Sequence, residues 1–242
     1  MYQGELKHAV SRLPGIGPKT SACLSSAGII SIDDILKHYP RSYENRKKIV
    51  PFSRAVRKNT PVAVNTPACV TGHAWFGYGK KQTLKVIVED QSGIAASLVC
   101  FGRNFLADKL PVGSIILLYA GMQNRFNELQ ASAFEFEVLP AGNPGNLTEI
   151  KDLALLSESF GRILPVYPLT SGLNQKTLRR AVEHAVNEWA VNIESEIPGE
   201  IMKRYSLLPK AEAVRQIHFP SSEEDVSAAE YSILLAHLSR IK

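Results

Sequence analysis

Residues 83–110 decide the fold, and they read TLKVIVEDQSGIAASLVCFGRNFLADKL. Residues 83–88 are mostly β-branched or apolar and predict a strand. Residues 90–93, Asp-Gln-Ser-Gly, predict a tight turn, and residues 94–101 predict the next strand. Residues 103–110 predict a short helix that ends before a proline. The stretch therefore predicts two neighbouring strands followed by one short helix.

Three more strand regions surround this stretch, at residues 61–76, 114–122 and 128–138. A basic glycine turn at residues 77–81 joins the first strand to the second, and a turn around residues 124–127 separates the last two. Five strands with a single helix between the third and fourth are the order expected of an OB-fold barrel, which commonly binds oligonucleotides on one face. Small antiparallel barrels also serve as pure interaction modules, so this order does not itself establish binding.

The segments on either side of the barrel are predicted to be helical. Ser31 is expected to cap a short helix, with Asp34 in the capping-box position. A later helix is predicted from Asn174, with one apolar stripe comprising Leu178, Val182, Ala185, Val186 and Trp189. Residues 143–146, Asn-Pro-Gly-Asn, are expected to be a linker. We therefore expect an α+β multidomain protein with a helical segment at 1–50, a barrel at 51–142 and a helical segment at 143–242.

The turn Leu13-Pro14-Gly15-Ile16-Gly17-Pro18-Lys19-Thr20 resembles a helix-hairpin-helix element, which grips nucleic-acid backbone. Gly15 and Gly17 permit a tight turn, and the helix that follows offers unpaired N–H groups to a phosphate, with Lys19 beside them. A P-loop is excluded, because a proline separates Gly17 from Lys19 and no strand precedes the turn. A turn that binds nothing remains the alternative, since glycine and proline are ordinary turn residues.

Charge is distributed unevenly along the chain, whose formal net charge is +5. Residues 1–60 contain eleven Lys or Arg against four Asp or Glu, whereas residues 61–146 contain six of each. The basic residues singled out in this first quarter are Arg41, Arg46, Lys47, Lys48, Arg54, Arg57 and Lys58. A localised basic region favours a polyanion partner, although a solvated surface would show the same composition.

Composition and motifs exclude several classes of protein. No apolar run approaches the length of a membrane span, no signal peptide is visible, and three scattered cysteines suggest reduced thiols, so we expect a cytoplasmic protein without a membrane partner. The chain contains no Gly-x-Ser-x-Gly elbow, no His-Glu-x-x-His helix and no Cys/His set with metal spacing. We therefore expect no catalytic residue, metal or cofactor in this chain.

These motifs together resemble the N-terminal wedge region of RecG-type ATP-dependent DNA helicases, which remodel branched DNA. The resemblance rests on landmarks that occur in family order and span most of the chain. They are residues 13–20, Gly28-Ile29, residues 33–36, residues 39–46, residues 101–106, residues 165–170, Gly172-Leu173, Gln175-Lys176 and residues 217–220.

The resemblance implies a protein that binds branched or single-stranded DNA, such as stalled forks and Holliday junctions, and splits strands there during DNA repair and recombination. Phe101 and Phe105 match the family's aromatic pair, Phe-x-x-x-Tyr, which caps orphaned bases at the junction. Phenylalanine at position 105 keeps the stacking face of the tyrosine but lacks its hydroxyl. Buried core positions are the alternative for both rings.

Four cations near the barrel turns are further candidates for contacts with DNA backbone: Lys80, Lys81, Arg103 and Arg125. Each is equally compatible with an ordinary surface charge. The chain departs from the family at residues 134–137, Phe-Glu-Phe-Glu, where many members have a His-Pro pair. The resemblance therefore does not extend to contacts from the last strand.

A helicase motor needs a Walker A loop and further ATP-binding motifs, and none follows residue 220. ATP and Mg²⁺ would therefore belong to motor domains supplied in cis or in trans. The chain is a fragment, a truncated gene product or a stand-alone relative, and the sequence leaves these origins open. The alternative function is an OB-fold protein-interaction or scaffold module without DNA binding, favoured by the balanced charge of residues 61–146.

Overall fold

The computed structural model describes residues 5–58, 60–79, 82–140, 157 and 159–239. The chain divides into two compact units. The helical unit comprises Met1–Asn45 and Ile163–Lys242, and the barrel unit comprises Arg46–Arg162. The first and third blocks of the sequence prediction thus share one unit, while their boundaries at 50 and 142 stay predictions. The expected linker at 143–146 lies outside the described residues.

The barrel unit contains a six-stranded sheet. Its strands are β2 (Val62–Phe76), β3 (Thr83–Asp90), β4 (Ala95–Cys100), β5 (Ile115–Arg125), β6 (Glu128–Ala131) and β7 (Phe134–Val138), and the short helix α3 (Leu106–Lys109) follows β4. The strand order is β2-β3-β4-β6-β5-β7, and β2 also pairs with β5. Pairing is antiparallel except between β4 and β6. The unit is OB-like, as predicted, with its helix between the third and fourth long strands.

The barrel core is aliphatic and comes from alternate positions of the strands. Val86, Val88 and Leu98 are fully buried in it. Leu106 and Leu110, at the two ends of α3, are buried in the same core, so the helix covers one side of the sheet. Burial of such side chains contributes about 1.5–3 kcal/mol each relative to full exposure. A rigid sheet therefore supports the residues at the end of β4.

The fifth predicted strand, residues 128–138, is divided in two. Its first part, β6, pairs with the end of β5 and runs parallel to β4, while β7 pairs with residues 116–120 of β5. The break falls at residues 132–133, between the end of β6 and the start of β7. The Ser132 carbonyl there accepts a hydrogen bond of 2.6 Å from the Arg103 guanidinium rather than a ladder hydrogen bond.

The helical unit is built from both ends of the chain. Its helices are α1 (Pro18–Ser26), α2 (Ile32–Leu36), α4 (Gln175–Trp189), α5 (Gly199–Arg204), α6 (Lys210–His218) and α7 (Glu223–Ser239), and its strands are β1 (Ser42–Asn45) and β8 (Ile163–Val166). The apolar stripe of α4 packs in one core with α1 and α2. The predicted stripe is confirmed, with Trp189 partly buried. The capping box of Ser31 and Asp34 is also confirmed.

The barrel unit begins and ends at neighbouring residues. In the helical unit, Asn45 is registered opposite Ile163 in the β1–β8 pair. In the barrel unit, the Arg46 N–H donates to the Arg162 carbonyl at 2.8 Å. The chain therefore enters and leaves the barrel unit at adjacent positions, between residues 45 and 46 and between residues 162 and 163. None of the described helices is long and apolar enough to cross a membrane.

Candidate nucleic-acid interface

Phe101 and Phe105 flank the turn that follows β4. Phe101 comes directly after buried Cys100, and Gly102 adopts a φ of +65°, which turns the chain toward α3. Phe105 stands immediately before α3. The two side chains are 63% and 54% exposed, respectively. Both rings are therefore exposed rather than buried in the core, and each presents part of its surface to solvent.

Phe76 extends this aromatic surface across the sheet. Phe76 at the end of β2 is registered opposite Thr83, and Leu84 is registered opposite Cys100, so Phe76 and Phe101 lie on either side of β3. Their ring centroids are 6.5 Å apart with an interplanar angle of 84°, an edge-to-face pair. Phe76 is 41% exposed. The two rings form a partly exposed apolar surface at the end of these strands.

Lysine side chains accompany two of the rings. The Lys85 Nζ lies 5.6 Å from the Phe76 centroid, and the Lys109 Nζ lies 5.4 Å from the Phe105 centroid. A cation over an aromatic face is held by the ring quadrupole, which contributes about 0.5–1 kcal/mol at exposed sites. Ammonium groups therefore lie next to two of the flat rings, an arrangement also found on surfaces that bind single strands.

Arg103 is half-buried and already engaged within the barrel. Its Nη2 donates to the carbonyls of Ser132 and Val99, at 2.6 and 3.5 Å, and its Cζ lies 4.4 Å from the Phe134 ring centroid. This arrangement ties the end of β4 to the start of β7. The predicted DNA contact of Arg103 stays a prediction, and the observed contacts assign it a structural role beside the aromatic pair.

Arg125 is exposed at the end of β5, and its Nε donates to Gln123 Oε1 at 3.0 Å. Arg125 is registered opposite Glu128, which leaves Phe126 and Asn127 as a two-residue loop with φ of +54° and +60°. Asn and Gly are the usual residues at such positions. Phenylalanine with a positive φ costs on the order of 1 kcal/mol. Phe126 bears this cost while its side chain is 97% exposed.

Phe76, Phe101, Phe126, Lys85 and Arg125 line one groove of about 460 Å³. Its remaining lining is Val99, Gly121, Gln123, Glu128, Gln130, Ala131 and Ser132. The structure thus brings two predicted residues, Phe101 and Arg125, to one groove. Among the described residues, Phe105 is not part of this lining.

The acid of this groove is neutralised by its neighbours. Glu128 accepts hydrogen bonds of 2.5 Å from the Lys85 ammonium and 2.5 Å from the Ser97 hydroxyl. These two donors hold the pKa of Glu128 below its usual range, so the carboxylate is ionised at neutral pH. Lys85 and Glu128 therefore cancel, and Arg125 supplies the net positive charge of the groove.

The basic residues of the first quarter differ in their accessibility. Arg54, Arg57 and Lys58 are exposed, and this segment is attached to the β5–β6 hairpin because Asn124 Nδ2 donates to the Val56 carbonyl at 3.4 Å. Arg46, in contrast, is fully buried. The interpretation of Arg46 as part of a surface for a polyanion is therefore wrong.

The turn at residues 13–20 belongs to the helical unit. Gly15 has a φ of +79°, and Gly17 precedes α1, whose first residue is Pro18. Because the N-cap residue is Gly17, no side chain caps the first N–H groups of α1, and Lys19 is exposed beside them. The α1 N-terminus thus has the uncapped N–H groups that the sequence predicts. The element before it is a single 3₁₀ turn, Val10–Arg12, rather than a full helix.

Two predicted residues, Lys80 and Lys81, lie outside the described residues. Sequence reasoning missed Phe76, Lys85 and Phe126 as members of the groove. A signal was available for Phe126, because an aromatic residue in a two-residue turn, where Asn or Gly is usual, indicates a role other than turn formation. Phe76 carried no signal of its own, since aromatic residues are common in buried strands.

A family model described as the RecG wedge domain matches residues 9–188. The chain belongs to the RecG wedge domain family. A protein of Treponema pallidum named ATP-dependent DNA helicase RecG is 35% identical over 235 residues, which are 97% of this chain and 31% of that protein. A protein of the same name from Borreliella burgdorferi is 28% identical over 236 residues, 97% of this chain and 32% of that protein. The wedge-family chain is thus homologous to part of these helicases and spans about a third of their length.

The fold agrees with this assignment. A solved structure described as RecG bound to a three-way DNA junction superposes with a TM-score of 0.71 at 21% identity. The match covers 96% of this chain and 30% of that one. The overall fold predicted for the wedge family is therefore confirmed. Among the described residues, no group of three or more His, Cys, Asp or Glu is arranged to hold a metal ion.

Proposed function

We propose that this chain is a DNA-binding module that recognises branched DNA and separates strands at the junction. The observation that carries the proposal is the exposure of Phe101 and Phe105 at the end of β4, in a chain of the RecG wedge family. Exposed aromatic rings next to cations stack on unpaired bases without reading their sequence. A rigid barrel that presents such rings caps the bases left unpaired where strands part.

Several features support this proposal over a module that only binds protein. Lys109 lies over Phe105, while Arg125 and the exposed cations of 54–58 add charge near the β5–β6 hairpin. Phosphate neutralisation by such cations would make the affinity fall steeply with salt. Relatives named ATP-dependent DNA helicase RecG support a role on DNA, and we propose that this role belongs to DNA repair and recombination. In such a helicase, ATP and Mg²⁺ would bind to motor domains, supplied in cis or in trans.

The N-terminus of α1 is proposed as a second contact with phosphate. Its first turn follows Gly15 and Gly17, carries no side-chain cap and has Lys19 exposed beside it. Backbone N–H groups and the helix dipole favour an anion at this place. Lys80 and Lys81 extend the same backbone role to the β2–β3 turn as a sequence-based proposal.

The test is a salt titration of binding to a model fork and to a linear duplex of the same length. We expect tighter binding to the fork, and Phe101→Ala combined with Phe105→Ala should weaken fork binding by about 10-fold to 100-fold. Tyr231→Ala is the matched control, because Tyr231 is 47% exposed on α7 of the helical unit. Equal affinity for fork and duplex, or an unchanged double variant, would contradict the proposal. Binding of a protein partner without measurable DNA affinity at low salt would support the scaffold alternative.

A further inference from the structure

The tip of the β5–β6 hairpin presents an aromatic side chain that the barrel does not use for packing. Phe126 is 97% exposed and adopts a φ of +54°. The neighbouring residue Asn127 has a φ of +60°, so both loop positions are of the kind that glycine and asparagine fill most easily. A phenylalanine here neither eases the turn nor contributes to the core, and its ring is accessible on both faces.

Phe126 lines the same groove as the Phe76–Phe101 pair. The groove measures about 460 Å³, and Gly121 contributes no side chain to it. A Cβ added at Gly121 would meet no atom within 4 Å, so the space above this backbone position is open. The polar residues Gln123, Gln130 and Ser132 also line the groove. The groove therefore combines flat rings with polar residues.

The charge of the groove is suited to a nucleotide. Glu128 is neutralised by Lys85 at 2.5 Å, and Arg125 remains exposed at the rim of the hairpin. The contact of Asn124 Nδ2 with the Val56 carbonyl, at 3.4 Å, places the backbone of the basic segment 54–58 beside this hairpin. A phosphate next to a base in the groove would thus meet positive charge. An apolar peptide in the same place would leave that positive charge without a negative partner.

We propose that this groove binds one unpaired nucleotide of a single DNA strand, with its base stacked on Phe126 and the Phe76–Phe101 pair and its phosphate near Arg125. The inference deepens the proposed function and rests on it. It adds Phe126 and Phe76 to the residues expected from sequence, and it makes the hairpin tip a determinant of preference for forks that carry a single-stranded arm.

The experiment uses the full chain, a fork with one single-stranded arm and the same fork with both arms duplex. 2-Aminopurine at the first unpaired position reports base stacking by the quenching of its fluorescence. Phe126→Ala should reduce the quenching and bind the single-stranded-arm fork about 10-fold more weakly, while affinity for the all-duplex fork stays unchanged. Phe126→Tyr should restore both properties, and Phe126→Leu should not, because leucine is apolar but not flat.

Tyr231→Ala is the matched control, since Tyr231 is 47% exposed on α7 of the helical unit and does not line the groove. An equal loss in Tyr231→Ala and Phe126→Ala, or an unchanged Phe126→Ala, would overturn the inference. A fork preference of the parent would in that case still support the proposed function. If the parent shows no fork preference, the proposed function fails. Binding of a single-stranded oligonucleotide then tests whether the groove holds a nucleotide. Weaker binding of Phe126→Ala to that oligonucleotide supports it, and equal or absent binding overturns it.

Discussion

The guanidinium of Arg46 lies against the ring of Tyr119, with the Cζ 3.8 Å from the ring centroid. Its Nη1 donates to Glu135 Oε2 at 2.9 Å, and the Phe160 centroid is 5.6 Å from the same Cζ. Arg46 is fully buried, whereas the Glu135 side chain is half-exposed. Burial of a guanidinium is favourable only when hydrogen bonds and aromatic faces replace its water. Arg46 therefore stabilises the barrel unit at its first residue.

Arg46→Ala should lower the free energy of unfolding of the barrel unit by about 3 kcal/mol, because it removes the packed side chain together with its hydrogen bond. Arg46→Met should cost less, since methionine keeps most of the volume between the two rings. Urea denaturation followed by Trp75 fluorescence, in a Trp189→Phe background, measures both changes. Equal losses in the two variants would show that charge, rather than packing, is what Arg46 contributes.

Arg103→Lys should destabilise the barrel unit by about 1.5–3 kcal/mol, because lysine cannot reproduce the donation to Ser132 together with the guanidinium stack on Phe134. The same denaturation assay checks this expectation. If Arg103 instead contacts DNA alone, the variant will keep the parent's stability and lose only fork affinity.

Glu128→Gln should increase the affinity for a fork, because it removes the acid that pairs with Lys85 and leaves that ammonium available to phosphate. One additional phosphate contact would steepen the dependence of log K on log salt by about 0.7–0.9. Binding measured over a range of salt concentrations tests this. Glu137→Gln is the control on β7, where the carboxylate accepts from the Ser157 hydroxyl outside the groove lining. A shallower slope in Glu128→Gln would contradict the assignment of charge in the groove.

His218 should make the stability of the helical unit depend on pH. Burial lowers the pKa of His218 from 6.5 to about 4, and its ring bonds to the Tyr167 hydroxyl at 2.9 Å and the Leu36 carbonyl at 3.0 Å. The unfolded chain binds a proton that the folded chain excludes, so this contribution is fully present above pH 6.5. It falls by about 3 kcal/mol as the pH drops toward 4.

The measurement is the free energy of unfolding of the helical unit between pH 4 and 7, followed by Trp189 fluorescence in a Trp75→Phe background. His218→Gln lacks the titrating ring and should show a flatter pH profile than the parent. Parallel profiles for the two proteins would mean that other groups cause the acid sensitivity.

Local patterns predicted the elements better than they predicted their accessibility. The capping box of Ser31 and the apolar stripe of α4 could be predicted because both depend on residues three or four positions apart in the same helix. The burial of Arg46 did not, because Tyr119 and Phe160 approach it from distant parts of the sequence. The joining of Phe76, Phe101 and Phe126 in one groove likewise depends on strand register and on a turn conformation, which one sequence does not specify.

Asn45 is registered opposite Ile163, and the Arg46 N–H bonds to the Arg162 carbonyl. The barrel is therefore an insertion whose first and last residues are neighbours, here called the cassette. Its entry and exit coincide, so a short glycine bridge could connect residue 45 to residue 163 once the cassette is cut out. The excised segment could equally be transplanted between two adjacent residues of another host. Evolution could exchange the barrel as a single piece by the same route, without redesigning the helices that carry it.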